Sequence, residues 1–109
     1  MATAAEIPIL VASDAAERIR ALDMQREFET MLEYTQRSIP GLRAIEVTPY
    51  FDPDEPAGPR LVITVYKELP DSEDDPARRQ WDAWAIRTFS PDVFRWFALD
   101  VDYRTDHVR

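Results

Sequence analysis

Asp100 and Asp102 are the acidic pair whose spacing best suits chemistry in this chain of 109 residues. As neighbours but one on an extended strand, their side chains share a face, with α-carbons roughly 6.5–7 Å apart. Hard carboxylate oxygens at that separation suit a divalent metal. Such a site needs a third ligand, for which Glu68 and Asp106 are conceivable but not indicated. Solvated carboxylates at a strand end are the plainer reading of the pair. Asp52, Asp54 and Glu55 form a second cluster, but the ligand positions and mid-loop glycine of an EF-hand are missing, and the prolines make it a stiff solvated loop. Ser72-Glu73-Asp74-Asp75 reads as an acidic loop that caps a helix.

Other catalytic machinery is thin. The single histidine, His107, lies near the C-terminus, where chain ends fray, whereas a Ser–His–Asp arrangement needs its histidine held rigidly. With only Gly41 and Gly58 the chain cannot build a glycine-rich phosphate cradle. The absence of cysteine excludes a disulfide framework, a thiolate metal site and a cysteine nucleophile. No residue is therefore assigned a catalytic role, and no cofactor is expected.

Charge narrows the partners. Thirteen Lys and Arg against 21 Asp and Glu give 13 − 21 = −8, the wrong sign for non-specific nucleic-acid or anionic-membrane binding. The charge alone motivates one further reading, an antitoxin-like or nucleic-acid-mimicking inhibitor of a basic partner. Near the start, the longest apolar stretch is Ile9 to Ala12, far short of the roughly 18 residues a membrane helix needs. It has no cationic flank, so it does not read as a signal peptide, and a cytoplasmic location is expected.

The elements that must position these residues follow from periodicity. At 45 % apolar and 11 % aromatic the chain is too rich in core-forming residues for a disordered tail, and its length suits one domain over 1–109. Residues 1–5 and 105–109 read as loose termini. The run Ile7 to Ala12 is too short to separate strand from helix. Asp14 with Glu17 gives a capping-box pattern, opening a helix to about Arg37 that Pro40-Gly41 stops. On that helix Ala15, Ile19 and Leu22 lie on one side, and Met24, Phe28, Met31, Leu32 and Thr35 on the other. Either a kink near Leu22–Met24 or two different bodies against its two halves is expected.

Leu42 to Phe51 alternates as a strand, with Pro49 implying an unpaired or bulged edge. A turn-rich connector leads to a second strand, Leu61 to Leu69, and together they read as a hairpin with a long loop. Asp75-Pro76 opens a second helix to about Thr88, burying Ala77, Trp81, Trp84, Ala85 and Thr88. Phe94 to Tyr103 alternates again. The fold class is α+β: an antiparallel sheet of three or four strands with two helices on one face, in the order (β)αββαβ. With four strands this is the ferredoxin-like plan, and its crossovers should be right-handed.

Alternation then sorts the aromatics. Tyr50, Val62, Tyr66, Phe94 and Trp96 fall on the sheet face turned away from the helices, where an antiparallel sheet is normally polar. A patch of that size wants a cover. The leading expectation is thus a non-catalytic interaction protein, self-associating as a homodimer or docking another protein through these five residues. A small metal-dependent ligand-binding protein or enzyme using Asp100 and Asp102 is the alternative.

Overall fold

Residues 7–39, 41–67 and 76–103 are described by a computed structural model of the chain. The ambiguous first run is a strand, β1 (Ile9–Val11). The long helical stretch is two helices, α1 (Ser13–Leu22) and α2 (Gln25–Ser38). Between them Asp23 takes the left-handed conformation at φ 58°. Its amide donates to the Arg20 carbonyl (3.0 Å) and the Met24 amide to that of Ile19 (3.1 Å). That pair of bonds is the Schellman stop, here built on aspartate, one of the few non-glycine residues that tolerates the left-handed region. The opposed apolar arcs of the sequence therefore mark a break, and both halves are buried within one chain. The expected cap at Asp14 does not form. The helix starts two residues earlier, with Ala12 at the cap position and Asp14 in the first turn, where a carboxylate suits the helix dipole.

β2 (Leu42–Tyr50) and β3 (Arg60–Lys67) form the hairpin, followed by α3 (Ala77–Thr88), a single helical turn α4 (Pro91–Phe94) and β4 (Phe97–Tyr103). The last strand starts three residues later than its alternation suggested. Ser90-Pro91 opens a helical turn, with proline at the first helical position, so Phe94 is helical and Arg95-Trp96 turn into the strand. Pro76 sits at the cap of α3 rather than inside its first turn. The acidic loop, including Asp75, lies outside the described residues.

The sheet is mixed rather than antiparallel. Its order is β1-β2-β3-β4, with β1 parallel to β2, β2 antiparallel to β3, and β3 parallel to β4. Strands joined through helices are therefore direct neighbours, whereas the split plan places another strand between them. Ile45 donates to the Pro8 carbonyl (3.0 Å), so the odd positions of β2 face β1. Pro49 falls on that side, beyond the last β1 pair at Val11–Val47, where a missing amide breaks no ladder.

Every buried sheet residue has one parity: Ile45 and Val47, Leu61, Ile63 and Val65, Phe97 and Leu99. These face α1, α2 and α3, which share one core with them. The two crossovers step in the same direction across the sheet but join strands of opposite sense, so helices on a common face require connections of opposite hand. Only one of the two is right-handed, against the expectation for both. What the shared face permits is a direct α2–α3 contact. Trp81 Nε1 donates to Thr35 Oγ1 (2.9 Å), which in turn donates to the Met31 carbonyl (2.6 Å), all buried. Tyr34 stacks on Trp84 with ring centroids 3.9 Å apart, and Phe28 reaches across to stack on Phe97.

Candidate functional site

Registry places the outer-face residues in rows across the sheet. Thr48, Val62 and Ala98 form one row and Leu10, Glu46, Thr64 and Asp100 the next, followed by Ala44, Tyr66 and Asp102. Tyr50 pairs with Arg60 at the end nearest the hairpin loop. No described element lies over these residues, which are half-buried or exposed. Tyr50 keeps 52 % and Leu10 66 % of their surface. The face is thus apolar at the Tyr50–Val62–Ala98 end and acidic further along, where Glu46, Asp100 and Asp102 alternate with threonine and tyrosine. Tyr66 is half-buried, its hydroxyl donating to Glu46 Oε1 (2.8 Å).

Of the five residues expected on this face, Tyr50, Val62 and Tyr66 lie there, and Phe94 and Trp96 do not. Trp96 is 8 % exposed and belongs to the core. Two guanidiniums cover its ring, with Arg18 Cζ 4.9 Å and Arg95 Cζ 4.7 Å from the centroid. Such cation–π contacts gain strength where water is excluded. Arg18 also donates from Nε to the Pro59 carbonyl (3.0 Å) and from Nη2 to that of Ala57 (2.7 Å). This tethers the hairpin loop to α1. Gly58, at φ 112°, holds a conformation strained for any other residue, and a Cβ there would lie 2.7 Å from Arg18 Nη2, so the guanidinium would have to shift. Phe51, expected on the buried side, lies past the end of β2 and is 67 % exposed.

The acids of the loop serve its own turns. Asp52 Oδ1 accepts from the Asp54 amide (3.0 Å), and Glu55 Oε2 from that of Ala57 (3.1 Å). Glu55 also reaches Arg95 at 3.6 Å. Asp100 and Asp102 share the outer face as expected, but among the described residues no three metal-ligating side chains converge. Glu68, Asp106 and His107 lie outside those residues.

An open hollow of about 330 Å³ is lined by Tyr50, Arg60, Val62, Arg78, Ala98, Leu99 and Asp100. Val62 and Ala98 are cross-strand partners, and Arg78 reaches the hollow from the first turn of α3. Arg60 Nε donates to the Arg95 carbonyl (2.9 Å), fixing one edge of its guanidinium. Sequence reasoning passed over both arginines. For Arg60 the signal was present, since positions 60, 62, 64 and 66 share a face by simple alternation. For Arg78 it was not, because its place depends on how α3 lies beside β4. The same alternation, carried one step past Val65, puts Lys67 on the core side, where it is 7 % exposed. Among the described residues no helix is long and apolar enough to cross a membrane. No protein-family model, curated protein or solved structure matches this chain.

Proposed function

We propose that the chain is a non-catalytic interaction module that docks a protein surface, foremost a second copy of itself, on the outer face of its sheet. One observation carries this reading. Tyr50, Val62 and Ala98 border an open hollow on a face that no described element covers, and tyrosine is among the residues enriched in interface cores.

Size sets the expected strength. Four strands spaced about 4.8 Å apart, and about seven residues long at roughly 3.3 Å each, give a projected area of about 400 Å². Stable complexes bury roughly 800 Å² per partner, so contact through this face alone is weak and reversible. Sedimentation velocity from about 1 to 300 µM, a range that brackets such affinities, should show the mean mass rising with concentration. Tyr50→Ser should push that rise to higher concentration without changing the circular-dichroism spectrum. A chain that stays monomeric throughout and retains no protein partner on this face overturns the reading.

A further inference from the structure

We propose that the hollow at the Tyr50 end of the outer face binds a small organic carboxylate with a flat apolar body, its charge held by Arg60 and Arg78. The inference goes beyond the docking role of the face and does not rest on it. Arg60 and Arg78 line one hollow of about 330 Å³ together with Tyr50, Val62, Ala98 and Asp100. Such a volume is at the small end of ligand pockets, roughly 300–1,000 Å³, which combine apolar walls with a few polar groups that fix orientation. Here two guanidiniums from different elements, β3 and α3, supply those groups. The planar fork of a guanidinium matches a carboxylate.

Charge selects the ligand. The chain carries −8, so an anion is repelled by most of its surface and needs a local excess of cations. Arg60, Arg78 and Asp100 sum to 2 − 1 = +1, which matches a monoanion. Arg78 is exposed, and its side chain makes no hydrogen bond or ion pair with a described residue. Arg60 Nε is held by the Arg95 carbonyl at 2.9 Å, so less freedom is lost when its Nη groups meet a carboxylate. Two guanidiniums also meet over Trp96, but there Arg18 serves the Ala57 and Pro59 carbonyls and Arg95 reaches Glu55. Tyr50, 52 % exposed, offers a ring for the flat body to lie against, beside Val62 and Ala98.

Benzoate is the probe, and backbone amide shifts in an NMR titration of the full chain are the readout. Benzoate up to about 20 mM, a range that brackets millimolar affinities, should move the Val62, Ala98 and Asp100 amides along saturating curves. Benzamide, its neutral isostere, should bind at least about fivefold more weakly, because the charge-assisted bonds are lost. Arg78→Gln should weaken benzoate by a similar factor of about five or more. Asp100→Asn should tighten it about twofold or more, since a like charge leaves the hollow. Both positions are exposed, so neither change threatens the fold, and circular dichroism checks this. No saturating shift at these amides, equal binding of benzoate and benzamide, indifference to Arg78→Gln, or weaker binding by Asp100→Asn overturns the inference. None of these outcomes touches the docking role of the face, which is read from mass against concentration without benzoate.

Discussion

Two side-chain hydrogen bonds of nearly equal length lie on opposite sides of this sheet. In the helix layer Trp81 donates to Thr35 at 2.9 Å, and on the outer face Tyr66 donates to Glu46 at 2.8 Å. Length does not separate them, but surroundings do. Thr35 and Trp81 are fully buried and pass the bond on to the Met31 carbonyl, so no water can replace a lost partner. Tyr66 and Glu46 are half-buried on a face open to solvent. Dry polar groups are costly to orphan, whereas wet ones exchange one partner for another. The helix layer is therefore where stability resides, and the outer face is free to meet a partner.

The largest expected effect follows from emptying the dry side. Trp81→Ala removes the buried one of the two indoles that α3 contributes to the contact with α2, together with its bond to Thr35. It should cost about 3–5 kcal/mol of unfolding free energy by urea titration, as large core truncations do. Val62→Ala on the outer face should stay within about 1 kcal/mol, because its side chain is only half withdrawn from water. Equal losses at the two positions would erase the distinction between the faces.

A smaller effect isolates the polar chain itself. Thr35→Val keeps the shape of the side chain but leaves the Trp81 indole N–H buried without an acceptor. The expected loss is about 1–3 kcal/mol, the penalty for an unsatisfied buried donor. Thr35→Ser, which retains the hydroxyl, should recover most of that loss. The comparison of the two variants in the same titration separates the hydrogen bond from the packing of the methyl group.

The same division governs what could be read from the residues alone. Alternation assigned the strand faces correctly over Ile45–Val47 and Leu61–Val65, because burial on one side imposes a period of two wherever a strand exists. The opposed apolar arcs before and after Leu22 recorded the Asp23 break, since a turn in the left-handed region rotates the following helix. Strand order was not legible. The split plan and the observed one place strands and helical segments in the same sequence along the chain, and they differ in which strands pair, which no local pattern decides. The start of β4 was misread because Phe94, Trp96 and Ala98 alternate by chance through a helical turn. Ser90-Pro91 was the contrary signal, for it opens α4 as a proline in the first helical position commonly does. Moving those two aromatics to the core side removes most of the expected apolar surface and leaves a smaller patch around Tyr50. Arg78 entered the hollow from a different element, which no periodicity within one segment reveals.

The smallest effect is also the sharpest test of the comparison. Tyr66→Phe deletes the hydroxyl that bonds Glu46 and leaves the ring in place between Ala44 and Asp102. If hydrogen-bond length set the contribution, the loss would match that of Thr35→Val. On a face open to water the Glu46 carboxylate is rehydrated when its partner goes, so the loss should be at most about 0.5 kcal/mol. A loss above about 1.5 kcal/mol would mean that Glu46 is sealed from solvent in the folded chain, and hence that a partner already covers the face under the conditions of measurement. In that event the loss should shrink on dilution, because a cover supplied by a second copy depends on concentration whereas a bond within one chain does not.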